Sequence, residues 1–156
     1  MQPLPIETLA TNAEVIVHGT VVSKTVQRDP EGRIYTRVQL AITEVWKGKV
    51  NPATFSIVYS GGRLGNEETR VSIPVNYDIG EEVVAMLRLN HRREGVTLAA
   101  VQGKFVVSQE TPGGRKLVSN VFHGRENLNA PASATGSSLR ISLEDLKRMA
   151  NEGKAE

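Results

Sequence analysis

Mainly apolar and more polar positions alternate with a period of two through residues 34–42, the clearest pattern in the sequence. A period of two places successive side chains on opposite faces of a strand, so one face of this segment is predicted to be buried. The alternation breaks at Thr43 and Glu44, where we expect a β-bulge to bend the strand, as the corner of a small barrel requires. The predicted core face carries Ile34, Thr36, Val38, Leu40 and Ile42, and the opposite face carries Tyr35, Arg37, Gln39 and Ala41.

Other segments of strand composition lie on both sides of this one. Residues 13–24 are apolar and β-branched on both faces, which suits a strand in a closed barrel or beneath a covering element. Residues 82–89 are predicted as a strand rather than a helix, because Gly80 and Asn90 leave only a short run between them. The other predicted strands are residues 54–59, one or two strands within 96–108 interrupted at Gln102 and Gly103, and a weaker strand at 116–122, with turns at 29–32, 78–81 and 90–95.

Two segments near the middle of the chain have no regular period. Residues 61–70 are rich in glycine and charge, and we expect a mobile loop there. The lysine and the following helix of a phosphate-binding loop are missing, so a flexible hairpin tip is the favoured interpretation of residues 61–65. Residues 71–75 are predicted to form a short edge strand, since Pro74 cannot donate a hydrogen bond to a ladder.

Helical signals occur near the two ends of the sequence. Residues 6–12 are predicted to form about one turn, with Ile6, Leu9 and Ala10 on its apolar side. Ser142 provides an N-cap followed by acidic first-turn residues, so a second helix is expected to begin there. That helix is expected to end at Gly153, with Leu143, Leu146 and Met149 along one side.

These elements predict an all-β fold with a short C-terminal helix, arranged as a small antiparallel barrel of five to six strands. The five-stranded OB type is a natural candidate. Residues 127–138 are rich in Asn, Ala, Pro, Ser, Thr and Gly, which is typical of a flexible linker. We therefore divide the chain into a barrel over residues 1–125, a linker over 126–140, and a helix over 141–153 that docks on the barrel or on a partner.

Composition and charge limit the classes of function. At 156 residues the chain can bury a core large enough to fold without a metal or a disulfide. Lys and Arg total 19 and Asp and Glu total 17, so the net charge of +2 provides little attraction for a polyanion. The tight basic cluster at 91–93 is followed by Glu94 and is interpreted as a solvated turn. Without cysteine, disulfides, thiolate zinc sites and cysteine nucleophiles are excluded.

No apolar run approaches the roughly 20 residues that a membrane span needs. Residues 1–5 lack the charged start and apolar centre of a signal peptide, so the protein is either cytoplasmic or has lost such a peptide.

Candidate chemistry is sparse. The three histidines, His18, His91 and His123, are far apart in sequence and match no metal-ligand spacing, so we expect no metal and no cofactor. His18 lies in the middle of a predicted strand, where a half-buried, hydrogen-bonded histidine is the ordinary interpretation. No serine stands in the Gly-x-Ser-x-Gly pattern, and the carboxylates Asp29, Glu31 and Asp78 fall in turns. We therefore expect a protein that is not an enzyme.

Several short motifs occur in a fixed order between residues 8 and 107. They are Asn-Ala-Glu-Val-Ile-Val at 12–17, Ile-Tyr at 34–35, Glu-Val-Trp-Lys-Gly at 44–48, an apolar strand at 55–59 and Gly-Glu-Glu at 80–82. In order and spacing they resemble the netrin-type OB module of the tissue inhibitors of metalloproteinases. The sequence also resembles bacterial exported proteins of unassigned role that carry an Ala-Asp-apolar-Gly-apolar start, Val-Leu-Lys-Gly and Gln-Gly-Lys-Phe. The corresponding residues here are 13–14, 45–48 and 102–105.

The resemblance implies an OB fold and a protein that is exported to the periplasm or the extracellular space. In the animal inhibitors an N-terminal cysteine chelates the protease zinc, and disulfides clamp the N-terminal segment to the barrel. This sequence has no cysteine, so that inhibitory mechanism cannot carry over.

The leading hypothesis is a non-catalytic module that binds another protein, and a protease is the narrower version that the resemblance implies. Its binding surface is expected at one rim of the barrel, since rim loops vary without disturbing the core. The first alternative is a domain that binds single-stranded nucleic acid through the second strand. The predicted rim residues are Arg33, Gly61, Gly62, Arg63 and Arg70, and the nucleic-acid face would be Tyr35, Arg37 and Gln39.

Overall fold

The computed structural model describes residues 2–50, 54–71, 74–109, 112–124 and 140–154. The helices within these residues are α1 (Ile6–Asn12) and α2 (Leu143–Lys154). The strands are β1 (Val15–Arg28), β2 (Ile34–Lys47), β3 (Thr54–Ser60), β4 (Gly62–Leu64), β5 (Glu67–Thr69), β6 (Glu82–Leu89), β7 (Gly95–Thr97), β8 (Lys104–Gln109), β9 (Lys116–Ser119) and β10 (Ile141–Ser142).

Five strands close into a barrel in the order β1, β2, β3, β7, β6 and back to β1. β1 completes the circle because it pairs antiparallel with β2 on one edge and with β6 on the other. The contact between β3 and β7 is parallel and consists of one residue pair, Ile57 with Gly95. The predicted all-β barrel of five strands is confirmed, but its description as antiparallel is wrong at this contact. An odd number of strands cannot alternate in direction all the way around a closed circle.

The bend in β2 occurs where the sequence predicts a bulge. His18 of β1 lies opposite Glu44, whereas the next residue, Gly19, lies opposite Ile42, so Thr43 is an extra residue on β2. A bulge increases the local twist and bends its strand. The bend lets β2 pair with β1 along its length and still continue around the barrel.

Gly19 is required by the close approach of two strands at this corner. A Cβ atom on Gly19 would lie 2.5 Å from the carbonyl oxygen of Ala41 on β2. Gly19 also lies opposite Val83 on β6, so its backbone is enclosed from both edges. The two strands can cross at this distance only because the residue has no side chain.

Two apolar clusters lie on the two sides of β1 and β6. One fills the barrel, and the other lies between the outer face of the sheet and the two helices. Neighbouring residues of β1 and β6 therefore point into different clusters, which explains why both strands are apolar on both faces. The barrel cluster includes Val15, Val17, Val38, Leu40, Ile57 and Leu87, and the outer cluster includes Ile16, Trp46, Met86, Phe105 and Leu146.

The sheet continues beyond the barrel from β6 through β8 and β9 to β10. β10 consists of Ile141 and Ser142, which pair with Val118 and Leu117 of β9. A strand of two residues has no measurable period, so β10 was not predicted from the sequence. Its position brings the start of α2 onto the outer face of the sheet.

The helices confirm the predictions made from their sequences. α1 spans Ile6–Asn12, with Ile6, Leu9 and Ala10 buried. The hydroxyl of Ser142 accepts a hydrogen bond from the Asp145 backbone N–H at 3.0 Å, as an N-cap does. α2 continues one residue past Gly153, to Lys154, and packs against α1. The helix therefore docks on its own chain, with Leu146 and Ala150 in the outer cluster.

Two expectations for the middle of the chain are wrong. Residues 61–70 contain the strands β4 and β5, paired as a hairpin around Gly65, so the hairpin expected at residues 61–65 is present but the irregular loop expected over 61–70 is not. An edge strand was expected over residues 71–75, but Val71, Pro74 and Val75 do not belong to a strand, and residues 72 and 73 lie outside the described residues. The two strands of the hairpin have no buried residue and no apolar period, so hydrophobic periodicity could not reveal them. The predicted linker at 127–138 lies outside the described residues.

We predict that Leu40→Ala destabilises the protein by about 2–5 kcal/mol, because it leaves a cavity in a closed barrel core. Leu40 has 0% of its surface exposed. The measurement is urea unfolding followed by circular dichroism. Val22→Ala is the control, since Val22 is 50% exposed, and it is expected to change the free energy of unfolding by less than about 0.5 kcal/mol. Equal effects of the two substitutions would contradict the assignment of the core face of β2.

We also predict that Leu146→Ala destabilises the isolated protein by about 2–5 kcal/mol, because Leu146 is fully buried between α2 and the outer face of the sheet. Asn151→Ala on the exposed side of α2 is the control and is expected to have little effect. Thermal unfolding of both variants is the measurement. A neutral Leu146→Ala would mean that the helix is held only by a partner.

Candidate functional site

The turn between β1 and β2 is built around the side chain of Asp29. Its Oδ1 atom accepts hydrogen bonds from the backbone N–H groups of Glu31 and Arg33, both at 2.9 Å. Its Oδ2 atom accepts a bond from Nε of Arg33 at 2.9 Å. The backbone hydrogen bond from Arg33 is the main cause that lowers the pKa of Asp29, because it stabilises the charged carboxylate. The turn is therefore shaped by its own residues before any partner arrives.

The turn between β6 and β7 uses the same arrangement. Oδ1 of Asn90 accepts hydrogen bonds from the backbone N–H groups of Arg92 at 2.9 Å and Glu94 at 3.0 Å. Arg93 has a φ of 61°, a conformation that an L-residue adopts at some cost. The side chains of His91, Arg92 and Arg93 are all exposed. The turn thus holds three basic side chains outward on a fixed backbone.

The β4–β5 hairpin leaves the barrel through two glycines with positive φ, Gly61 at 97° and Gly62 at 133°. The Thr36 hydroxyl donates a hydrogen bond to the Gly61 carbonyl oxygen at 2.8 Å. A Cβ on Gly62 would lie 2.7 Å from that hydroxyl oxygen. These two predicted rim residues therefore set the direction of the chain. Arg63 and Arg70 lie beyond them with exposed side chains, and Arg70 pairs with Glu68 at 2.8 Å.

Two grooves that share Arg92 and Glu94 lie on the barrel surface beside β3. The first has a volume of about 470 Å³ and lies between the β1–β2 and β6–β7 turns, with Tyr35, Val58 and Val96 among its lining residues. The second has a volume of about 620 Å³ and includes Arg37, Lys49, Arg92 and Arg93. Because they share residues, we treat them as one surface and call it the β3 groove.

The predicted rim residues do not all meet at one place. Arg33 lines the β3 groove, whereas Gly61, Gly62, Arg63 and Arg70 line a separate groove of about 400 Å³ beneath the hairpin. Tyr59 and Ser60 line both surfaces and form the wall between them. The rim is thus two neighbouring surfaces joined at the end of β3.

The predicted nucleic-acid face is also divided. Tyr35 and Arg37 line the two halves of the β3 groove, and Gln39 lines neither half. The Tyr35 hydroxyl donates a hydrogen bond to the Gln27 side chain at 2.7 Å, and Arg37 pairs with Glu94 at 2.8 Å. These side chains are therefore already engaged with other residues of the chain.

The β6–β7 turn is the part of the site that sequence reasoning missed, because residues 91–93 were interpreted only as a solvated turn. They are exposed, but they also form a wall of the β3 groove, opposite a turn about 60 residues earlier in the chain. The sequence does carry a signal, since Asn90 before a basic run favours a side-chain-capped turn. The proximity of the β6–β7 turn to Arg33, however, depends on closure of the barrel.

The histidines have separate surroundings. Nε2 of His18 lies 2.7 Å from Oε2 of Glu82, and Lys116 binds the same carboxylate at 2.9 Å. The predicted hydrogen bond of His18 is confirmed, and at 6% exposure the side chain is more deeply buried than the half-buried position expected. Nε2 of His123 lies 2.7 Å from the carbonyl oxygen of Leu4, while His91 is exposed at the β3 groove. Among the described residues, no three His, Cys, Asp or Glu side chains are arranged to bind a metal ion.

The N-terminal segment is held on the barrel by polar side chains. The Gln102 amide accepts a hydrogen bond from the Leu4 backbone N–H and donates one to the Gln2 carbonyl oxygen, both at 2.8 Å. His123 contacts the Leu4 carbonyl oxygen, and the Asn120 amide binds the carbonyl oxygen of Gln102 at 2.8 Å. In this chain, which has no cysteine, hydrogen bonds hold the segment in place and no disulfide is involved.

No family model matches this chain, and no curated protein matches its sequence. The described residues contain two helices, α1 and α2, and neither is long and apolar enough to cross a membrane. The barrel and its grooves are therefore the basis for a functional proposal.

The ion pairs of Glu82 with His18 and Lys116 predict how the stability of the protein depends on pH. Burial raises the pKa of Glu82, but hydrogen bonds from Lys116 and His18 outweigh it and leave the pKa below its ordinary value of 4.5. A lowered pKa in the folded state stabilises the protein above that value, and the contribution is lost as the pH falls through the folded pKa. Glu82→Gln should therefore destabilise the protein at pH 7 and have a smaller effect at about pH 3.

The comparison is made by urea unfolding at the two pH values. Glu144→Gln, which changes an exposed carboxylate at the start of α2, is the control and should change little at either pH. A destabilisation by Glu82→Gln that is the same at both pH values would show that the cluster stabilises the protein by packing alone.

Proposed function

We propose that this protein is a non-catalytic interaction module that binds another protein at the β3 groove and the adjoining hairpin. The proposal rests on one observation: two turns, each shaped by its own Asx side chain, border a groove on a closed barrel. A surface that is already ordered loses little conformational entropy when a partner binds. Its mixture of apolar floor and charged rim is typical of protein interfaces.

We further propose that the barrel is of the OB type. Support comes from the five-stranded closure and from the position of the β3 groove. The groove lies against β2 and β3 and between the turns that follow the first and fourth barrel strands. Domains of the OB type bind their ligands on the corresponding surface.

The charges in the groove favour a protein partner over single-stranded nucleic acid. Arg33 pairs with Glu31 at 2.8 Å and also with Asp29, and Arg37 pairs with Glu94 at 2.8 Å. A nucleic acid would bring phosphates next to these three carboxylates and would have to compete for the two arginines. Proteins carry both signs of charge and can match such a surface.

The resemblance to exported bacterial proteins supports a role outside the cytoplasm. The N-terminal segment does not support the narrower hypothesis that the partner is a protease. Backbone groups of Gln2 and Leu4 are bonded to Gln102 and His123, so they are engaged within the chain and not presented to a zinc ion.

The proposal predicts that photocrosslinking from the rim captures protein partners at a defined place. A benzophenone amino acid is introduced at Ser60, which is exposed between the two grooves, and in a second variant at Arg115, which is exposed on the turn before β9. In extracts of the native cell, we expect discrete protein adducts from position 60 that excess unlabelled protein competes away. Position 115 should give none of these adducts.

Fluorescence anisotropy with a labelled thymidine oligonucleotide of about fifteen nucleotides tests the alternative. At about 0.15 M salt we expect no binding, because the net charge of +2 gives a weak field. Micromolar binding that weakens with salt and is lost in Tyr35→Ala would favour the nucleic-acid hypothesis. Absence of competed adducts from position 60 would count against a protein partner at the rim.

A further inference from the structure

We propose that one half of the β3 groove binds the phosphate group of a monoester, which is carried either by a small molecule or by a phosphorylated residue of a protein. This half is the groove of about 620 Å³ beside β3, and we call it the basic half. The inference goes beyond the proposed protein-binding function and does not depend on it. It follows from the charge of the basic half, from hydrogen-bond donors that the chain leaves unused and from the ordered turn that forms one wall.

The two halves of the β3 groove differ in charge. Among the described residues, the half between the two turns is lined by three carboxylate and two guanidinium side chains, those of Asp29, Glu31, Glu94, Arg33 and Arg92. The basic half is lined by one carboxylate and four cationic side chains, those of Glu94, Arg37, Lys49, Arg92 and Arg93. An anion is therefore attracted to the basic half and repelled from the other one.

The carboxylate of Glu94 does not cancel this excess of positive charge. Its Oε2 atom lies 2.8 Å from Nη2 of Arg37, its Oε1 atom accepts a hydrogen bond from the Asn90 amide at 3.1 Å, and its side chain is only 11% exposed. Glu94 is thus neutralised by Arg37. The other cationic side chains of the basic half make no hydrogen bond or ion pair in the described part of the chain, and they are those of Lys49, Arg92 and Arg93.

The basic half also contains hydrogen-bond donors that the chain does not use. Nε of Arg37 is buried and has no hydrogen-bond partner among the described residues, so the pair with Glu94 leaves this guanidinium incompletely satisfied. Thr54 and Ser56 line the same half, and their hydroxyl groups make no hydrogen bond within the described ranges. The two residues are two positions apart on β3, so they share its outward face, while Phe55 between them packs in the barrel.

This combination of charge and donors matches a phosphate monoester. At pH 7 a monoester carries a charge of about −1.5 to −2 and has three oxygens that accept hydrogen bonds. A carboxylate carries one charge and has two oxygens, and a phosphate diester of a nucleic acid also carries one charge. Three unpaired cations and two hydroxyl groups therefore complement the monoester better than either of these groups.

The turn that carries Arg92 and Arg93 is tied to β2 by side chains. Oδ1 of Asn90 accepts hydrogen bonds from the backbone N–H groups of Arg92 and Glu94, and its amide nitrogen binds the Glu94 carboxylate, which reaches Arg37 on β2. The guanidinium groups of Arg92 and Arg93 take no part in these bonds. The wall of the basic half is therefore ordered before an anion arrives, and binding costs little reorganisation.

The site is tested by titrating the full-length, ¹⁵N-labelled protein with methyl phosphate at about 0.15 M salt and following the backbone amide signals by NMR. We expect saturable shifts with a dissociation constant of about 1 mM or lower. The signals that shift should be those of Lys49, Thr54, Ser56, Arg92 and Arg93. Dimethyl phosphate, which has one negative charge, and acetate are the matched probes, and both should bind at least about tenfold more weakly.

The protein variant that removes charge is Arg92→Ala combined with Arg93→Gly, since glycine keeps the positive φ of residue 93 without strain. It is expected to weaken binding of methyl phosphate by at least about tenfold, equivalent to 1.4 kcal/mol. Ser56→Ala keeps every charge and removes one donor, and it should weaken binding by about fivefold. Arg115→Ala removes an exposed arginine outside the lining of the β3 groove and is the matched control, which should bind as the unmodified protein does. Thermal unfolding confirms that each variant is folded.

A blocked tripeptide, alanine-phosphoserine-alanine, separates the two sources of the phosphate group. Binding of this peptide that is tighter than that of methyl phosphate would assign the phosphate to a phosphorylated protein. Equal or weaker binding would assign it to a small molecule. Both results support the site, provided that the binding is weakened in the variant at residues 92 and 93.

Three results would overturn the inference. Equal binding of dimethyl phosphate or acetate would show that the site does not select a doubly charged group. Shifts that do not saturate, or that persist in the variant at residues 92 and 93, would show only a general attraction to surface charge. Binding of the thymidine oligonucleotide with the same dependence on these arginines would assign the basic half to nucleic acid.

The outcomes for the two proposals are distinguishable. If methyl phosphate binds as expected and position 60 gives no competed adducts, the phosphate site stands and the proposed protein-binding function fails. If the adducts are present and methyl phosphate does not bind, the proposed function stands and the phosphate site fails.

Discussion

The antiparallel ladder between β1 and β6 is the interaction on which the rest of the structure depends. Residues 15–20 of β1 pair with residues 82–87 of β6, and both strands are buried on both faces. This ladder closes the barrel on one side and provides the surface on which the two helices pack on the other. The interior and the outer layer are thus stabilised by the same backbone hydrogen bonds, and loss of the ladder would expose both apolar clusters together.

Much of the fold was predictable because its strands carry strong local signals. The alternation in β2 and the apolar run of β6 between Gly80 and Asn90 identified both strands with nearly their observed bounds. The bulge at Thr43 was predictable because the alternation fails there. The β4–β5 hairpin and β10 were not, since the first has no buried face and the second is too short to have a period. Secondary structure follows from local periodicity only where one face is buried.

The candidate site was less predictable for a physical reason. Tyr35, Arg37 and Arg33 were identified on the chain, but the β3 groove forms only when the turn at Asp29 and the turn at Asn90 are brought together. That approach is a consequence of barrel closure, which no local pattern encodes. The backbone conformation of Gly61 and Gly62 was not predictable either, because a glycine that redirects the backbone has the same sequence signature as a glycine in a mobile loop. The residue that shapes each turn was visible in the sequence. It is an Asp or Asn whose side chain accepts hydrogen bonds from the backbone N–H groups two and four residues later.

The packing of α1 against α2 has a consequence for how the molecule is made. α1 begins at Ile6 and α2 ends at Lys154, so the outer cluster joins the first and last helices of the described residues, which are far apart in sequence. During synthesis the barrel strands emerge long before Leu146, and until then the apolar outer face of β1 and β6 lacks the part of its cover that α2 provides. The barrel and the layer that packs on it are therefore completed at different times. In between, a newly made chain exposes an apolar surface to which chaperones or other copies of the chain can bind.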